Sequence, residues 1–328
     1  MGYWERWLRR PQTVWLRRAT FQLHLWSGIA LGLYVLLVSV TGSVLVYRNE
    51  LYRAATRDPV VVAGTGPLLS DEQLKAAARR EYPGYSILNV SRGRTAGQTV
   101  AISLRDGNKR QNRLFNPYTG ADLGDAVPPG IKAVSQLIAL HDDLLGGPTG
   151  REINGLAALL LVGVTVSGIV VWWPGIRTWR RSLTLPKNVG WQRWIWGLHS
   201  MLGFWTFGVI LLFAVSGVYL GNPDRFQDVL DRLEPLTEAN ARTRIVDQVT
   251  YWLAYLHIGR VNGIGLGCSG RGLCDMTVKF IWAVFGLAPA VMFVTGAIMW
   301  WNRVVRKKLG VTIGGATEIG YGAPGDRK

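Results

Sequence analysis

The sequence predicts an all-α membrane bundle of four transmembrane helices, a two-helix repeat used twice, with a small α+β module on one side of the membrane. Three observations predict it. Four stretches, Leu25 to Tyr47, Leu156 to Trp173, Leu198 to Leu220 and Phe280 to Trp301, each approach the roughly 20 apolar residues needed to cross about 30 Å of hydrocarbon. Lysine and arginine are unevenly shared among the segments between them. The four histidines of the chain, His24, His141, His199 and His257, each stand beside the start of one stretch.

Charge sets the orientation. The chain is 48% hydrophobic and 18% charged, below the usual share of charge, which disfavours a soluble globule. Residues 1–20, 174–193 and 302–328 hold 16 of the 37 Lys and Arg against only Glu5, Glu318 and Asp326, whereas the alternate segments carry nearly balanced charge. The positive-inside rule therefore places both termini in the cytoplasm. Of 15 Trp, only Trp252 and Trp282 fall on the outer side; the others cluster near cytoplasmic helix ends as interfacial anchors. The net charge of +16 is an orientation signal, and no basic nucleic-acid motif accompanies it.

Taken in order, residues 1–50 are the cytoplasmic N-terminus and helix 1, too long for a signal-peptide core and lacking a small-residue cleavage site, hence an uncleaved anchor. Residues 51–135 form an outer module: a helix from Asp71 to Arg80, strands at Ser86–Val90 and Thr99–Leu104, then a strand at Leu114-Phe115 entering the Pro/Gly turn Asn116 to Gly120. Residues 136–175 are an outer interfacial segment and helix 2, and residues 176–221 a cytoplasmic loop and helix 3. Residues 222–278 are a second outer segment, in which Phe226, Val229, Leu230 and Leu233 mark an amphipathic helix. Residues 279–328 hold helix 4 and a cytoplasmic tail.

The histidines pair by depth. His24 and His199 open helices 1 and 3 at the cytoplasmic side, while His141 and His257 precede helices 2 and 4 at the outer side. Gly28 and Gly203 follow His24 and His199 by one turn on nearly the same face and leave room for a flat macrocycle. Each outer histidine is followed by a matching run, Gly150 to Gly155 and Gly259 to Gly263, whose Arg151 and Arg260 suit haem propionates. Arg17, Arg18 and Arg193 lie near the inner pair, where positive-inside anchoring explains them equally well. Two pairs of imidazoles at two depths are what two bis-histidine haems require; a zinc or copper site is the competing use of a pair.

A second repeat runs through all four helices. Val40-Thr41-Gly42, Val166-Ser167-Gly168, Val215-Ser216-Gly217 and Val294-Thr295-Gly296 place one Val-Ser/Thr-Gly step near the far end of each. Gly168 and Gly296 are expected to clear space for the inner macrocycle, Gly42 and Gly217 for the outer one; ordinary small-residue packing, with each hydroxyl bonding back to its own helix, is the alternative. Helices 1 and 2 correspond to helices 3 and 4, and each second member ends in paired tryptophans, Trp172-Trp173 and Trp300-Trp301.

The Asn116-Pro-Tyr-Thr-Gly120 turn, the run Leu256-His257-Ile-Gly-Arg260, Gly286-Leu-Ala-Pro289 and the four Val-Ser/Thr-Gly steps resemble the PepSY-associated transmembrane proteins of bacterial inner membranes, over nearly the whole chain. The resemblance implies a multi-pass inner-membrane protein with a periplasmic PepSY-like domain. It implies that His24, His141, His199 and His257 are axial ligands of two haem b groups, and an oxidoreductase reducing ferric siderophores or another periplasmic electron acceptor. No flavin or nicotinamide motif is present, so the electron donor is external, a cytoplasmic flavoprotein or a quinol. The segment Gly265 to Val278 is longer than the family pattern.

That segment carries both cysteines, Cys268 and Cys274, whose periplasmic placement and spacing point to a structural disulfide rather than a metal site or covalent haem. Its Gly265-x-Gly267-x2-Gly270 matches a dinucleotide fingerprint in letters only, with no preceding strand and on the wrong side of the membrane. Three functional classes stay open on the residues: a transmembrane haem oxidoreductase, a metal permease, and a non-catalytic interaction protein whose outer module regulates a peptidase. The absence of carboxylates from the four stretches weighs against the permease.

Overall fold

The computed structural model describes residues 2–56, 60–64, 66–95, 97–237, 243–260 and 272–306. In chain order the helices are α1 (Tyr3–Arg9), α2 (Trp15–Ala30), α3 (Gly32–Leu45), α4 (Arg48–Ala55) and α5 (Asp71–Glu81). Strands β1 (Ser86–Ser91), β2 (Val100–Asp106), β3 (Lys109–Phe115) and β4 (Asp122–Asp125) follow, then α6 (Pro129–Asp143), α7 (Gly147–Trp172), α8 (Trp191–Gly221), α9 (Pro223–Leu233), α10 (Ile245–His257) and α11 (Leu273–Trp300). The chain forms two units, Met1–Ser43 with Pro148–Lys328, and Val44–Gly147.

The first unit is helical. α7, α8 and α11, extended by a π turn to Val305, are each long and apolar enough to cross a membrane. At 1.5 Å per residue α8 alone runs about 46 Å, beyond the roughly 30 Å of hydrocarbon, so its first turns, with Trp191, Arg193, Trp194 and Trp196, suit an interface. α2 and α3 pass the same test only as a pair bent by 61°. The single straight helix expected over Leu25 to Tyr47 is therefore broken. The break falls at Leu31, between Gly28 and Gly32 and one turn after Ser27, whose hydroxyl turns back on the Leu23 carbonyl (2.6 Å), a known setting for kinks. Gly32 is required there: a Cβ would lie 1.8 Å from the Phe293 ring of α11.

Further along, the Ser39 hydroxyl donates to the Gly286 carbonyl and accepts from Ala290 N–H (3.1 Å), spanning the turn that Pro289 loosens in α11. Gly286 itself meets Ser43, and α7 meets α8 where Gly155 and Gly221 leave no room for a Cβ. These are the close approaches that small residues permit when lipid supplies no hydrophobic drive between helices.

α9 is the amphipathic helix expected from Phe226 and Leu233. α10 was not anticipated; it packs on α8 and is clasped to α9 by Arg244, 4% exposed, which bonds Asp231 (2.5 Å) and the Glu234 carbonyl (2.7 Å). The Trp282 indole donates to the Leu256 carbonyl (2.6 Å), fixing the end of α10 against α11.

The second unit carries an antiparallel sheet in the order β1-β2-β3-β4, with Val100 opposite Phe115 and Asp106 opposite Lys109. α5 begins in a capping box between Ser70 and Gln73. Leu74 and Ala78 of this helix bury the alternate residues Val100, Ile102 and Leu104 of β2, with Phe115, as the core. In the turn after β3 the Asn116 side chain accepts from the Tyr118 and Thr119 amides (2.8 and 3.2 Å), and Gly120 takes a positive φ of 70°. α4 pairs with α6 in the same unit.

Candidate functional site

A cavity of about 780 Å³ opens in the helical unit along α2, the first two-thirds of α8 and the second halves of α7 and α11. That is within the usual range for a cofactor pocket. His24 and His199 face each other in it, their ring centroids 6.4 Å apart and their planes at 75°. Neither histidine opens its helix as expected: α2 starts at Trp15 and α8 at Trp191, so both sit two turns or more inside.

Each imidazole is held by a Val-Ser/Thr-Gly step on another helix. His24 Nδ1 meets the Val164 carbonyl (3.0 Å) and Ser167 Oγ (3.1 Å) of α7; His199 Nδ1 meets Thr295 Oγ1 (2.8 Å) of α11, with the Met292 carbonyl as a second, weaker acceptor. A carbonyl only accepts. The Thr295 hydroxyl already donates to the Val291 carbonyl (2.8 Å) and that of Ser167 to the Val164 carbonyl (2.8 Å), so both are left as acceptors. Both imidazoles therefore carry their proton on Nδ1 and keep the Nε2 lone pair free, the tautomer of a metal-ligating histidine. The glycine of each step admits the ring: a Cβ at Gly168 would lie 3.1 Å from His24 Cε1, and one at Gly296 3.4 Å from His199 Cε1.

The spacing suits one metal ion between two imidazoles. Two bonds of about 2 Å and two ring radii of about 1.15 Å put the centroids of a linear N–metal–N arrangement roughly 6.3 Å apart. Among the described residues no group of three or more His, Cys, Asp and Glu is placed to hold a metal. A structural zinc site takes four protein ligands and a catalytic one three, whereas a macrocycle brings four nitrogens of its own. The lining fits such a group. It is largely apolar, with Phe21, Leu25, Phe207 and Met292; its charged members are Arg17, Arg18 and Arg303, with no acidic residue among them. Gly28 lines the cavity with open space where its Cβ would be, while Gly203 faces the flexible methyl of Met292 at 2.9 Å.

Other expected residues lie elsewhere. Arg193 stacks on Trp196 (4.4 Å) instead of lining the cavity, and Arg303, not singled out beforehand, lies over Phe21 (4.7 Å) and does line it. His257 ends α10 and donates from Nδ1 to Ser216 Oγ (2.7 Å) of α8, whose own proton goes to the Leu212 carbonyl (2.5 Å), the same arrangement a third time. Gly217, expected to clear a macrocycle, meets Ala158 of α7 (3.1 Å) and serves helix packing. Arg151 lies exposed in α7, and Arg260 lies exposed just past the end of α10. His141 stands in the last turn of α6, in the other unit, before Leu144 and Leu145 at positive φ of 54° and 61°. Cys268, the glycine-rich Gly265 to Gly270 and Gly263 lie outside the described residues. Ser167, Thr295 and Ser216 of the repeat meet the histidines, contacts that the sequence left unassigned; their signal was the repeat itself, whose partner histidines are on other helices.

A helical protein with several candidate membrane spans, presenting two histidines to one cavity, is the class that fold and site define. The family model of the PepSY-associated TM region matches residues 21–244 and 223–303, and the chain belongs to that family. No curated protein matches the chain.

Proposed function

We propose that this protein is a transmembrane oxidoreductase of the bacterial inner membrane. It passes electrons through two b-type haems from a cytoplasmic flavoprotein or a quinol to a periplasmic acceptor, most concretely the ferric iron of a siderophore. The observation that carries this reading is the His24–His199 pair: two imidazoles 6.4 Å apart in a largely apolar cavity, each with Nδ1–H engaged and Nε2 free. Bound between them, a haem supplies reversible one-electron chemistry without an open iron position, which favours electron transfer over oxygen chemistry.

His24 and His199 would hold the haem iron, and Gly28, Gly168 and Gly296 leave room at the two rings and beside them. Arg17, Arg18 and Arg303 offset the carboxylates of an anionic cofactor. The second haem rests on the sequence repeat and the family resemblance alone, which assign His141 and His257 as its ligands and Arg151 and Arg260 to its propionates. Two sites divide a crossing of about 30 Å into shorter steps. The lysine and arginine pattern puts both termini inside and the Val44–Gly147 unit, the PepSY-like domain, in the periplasm beside the acceptor. One electron delivered to a ferric siderophore weakens the hold of its hard oxygen ligands on the iron.

The test uses the purified full-length protein. Dithionite reduction should give b-type absorption bands, and an added ferric siderophore should reoxidise them in step with ferrous iron trapped by a chelator. A colourless protein would leave the non-catalytic interaction role; a haem protein that ferric siderophores do not reoxidise would point to another periplasmic partner.

A further inference from the structure

Three histidines in the helical unit share one arrangement that ligation alone does not require. His24, His199 and His257 each give Nδ1–H to the hydroxyl of a Val-Ser/Thr-Gly step on a different helix: Ser167, Thr295 and Ser216. Each of those hydroxyls spends its own proton on a carbonyl three or four residues back in its helix. An uncommitted hydroxyl rotates and serves as donor or acceptor. A hydroxyl bonded back to its helix is fixed as an acceptor.

We propose that Ser167, Thr295 and Ser216 are positioning residues for the redox centres, a proposal that rests on the haem reading above. Their back-bonding, which by itself slightly weakens a helix, makes each hydroxyl a one-way acceptor. It holds its imidazole in the Nδ1–H tautomer, aims Nε2 away from the step and raises the donor strength of that nitrogen. A more electron-rich ligand favours the ferric state, so the three hydroxyls hold the potentials down. Their weights differ. His24 retains the Val164 carbonyl at 3.0 Å if Ser167 is removed, whereas the principal bond of His199 is to the Thr295 hydroxyl at 2.8 Å.

The test compares Thr295→Val, Thr295→Ser and Ser167→Ala in the full-length, haem-loaded protein. Thr295→Val should favour the ferrous state about tenfold, raising one midpoint potential by about 59 mV for a one-electron couple, with a shifted low-spin ferric resonance signal. Thr295→Ser should restore both readouts, and Ser167→Ala should shift the potential less than Thr295→Val. Nitrogen-15 spectra of histidine-labelled protein, which need no haem, should show His199 as the Nδ1–H tautomer in the parent and in Thr295→Ser, with its hydrogen-bonded shift reduced in Thr295→Val, where only the weaker Met292 carbonyl remains. An unchanged potential and unchanged nitrogen spectrum in Thr295→Val, or His199 protonated on Nε2 in the parent, overturns the proposal. A haem-free protein showing the expected nitrogen spectra would sink the haem reading and overturn the control of a potential, leaving Thr295 only as the residue that fixes the His199 tautomer.

Discussion

Gly168 of α7 stands edge-on to His24 of α2, so close that one added methyl group would lie 3.1 Å from Cε1 of the imidazole. Gly296 repeats the relationship with His199 at 3.4 Å. The two glycines set where the rings sit, because neither imidazole can retreat without leaving the hydroxyl that holds it.

Larger residues at these two positions should therefore displace the ligands. Gly168→Leu and Gly296→Leu are expected to cut haem occupancy at the His24–His199 site severely, with an overpacking cost of about 1–3 kcal/mol in stability. Gly168→Ala should show a smaller loss. Haem-to-chain ratio and thermal unfolding in detergent read the two effects separately; full occupancy in both leucine variants would refute the assignment.

Just past the bend between α2 and α3, Gly32 meets Phe293, where a Cβ would lie 1.8 Å from the ring. Gly32→Ala should destabilise the protein by about 1–3 kcal/mol, and Phe293→Ala in the same chain should recover part of that loss. A double-mutant cycle on unfolding free energy checks it, since residues in contact couple by about 0.5–3 kcal/mol. Strict additivity would mean that the two residues do not touch.

Much of this was legible in the sequence, for a physical reason. A span needs some 20 apolar residues whatever its neighbours are, so the four stretches announce themselves. The bend at Gly32 does not, because glycine inside an apolar run reads the same whether or not Phe293 approaches it. β3 was legible only at its end, Leu114-Phe115, and β4 not at all: Lys109 to Arg113 is a polar run that pairs through its backbone with β2 and shows no apolar alternation. α10 does carry a helical spacing, Ile245, Val249, Trp252 and Leu256, but it stands in a segment read only as an outer loop. The histidines were conspicuous as residues, whereas Ser167 and Thr295 became interpretable only once α7 faced α2 and α11 faced α8.

In the Val44–Gly147 unit, Asp122 accepts from Tyr82 and from Arg113 (2.5 Å to Nη2). Burial works to raise its carboxyl, but these hydrogen bonds outweigh it and hold the group below the ordinary aspartate range. A carboxyl lowered in the folded state contributes stability above its unfolded pKa of about 3.9 and loses it as pH falls through the folded value. Hydrogen exchange on the full chain should show protection of β3 and β4 at neutral pH that falls off below about pH 4. Asp122→Asn should start lower and respond less to acid. An identical acid profile in both proteins would remove Asp122 from the account.

At the alkaline end, burial together with the bond to Asp122 pushes the Tyr82 phenol up to about 12. A raised pKa means that its contribution is fully present below the unfolded value of about 10 and is lost as pH rises through the folded one. Ultraviolet titration of the parent against Tyr82→Phe should show one phenol ionising well above the rest, and its absence in the variant. A parent whose tyrosines all ionise together near pH 10 contradicts the shift.

The most direct test of the central claim is the number of haems per chain in the purified protein and in His24→Ala and His199→Ala. The account predicts two in the parent and one in each variant, with the surviving centre unchanged in its absorption and potential. Equal haem content in all three proteins, or none in the parent, would contradict it.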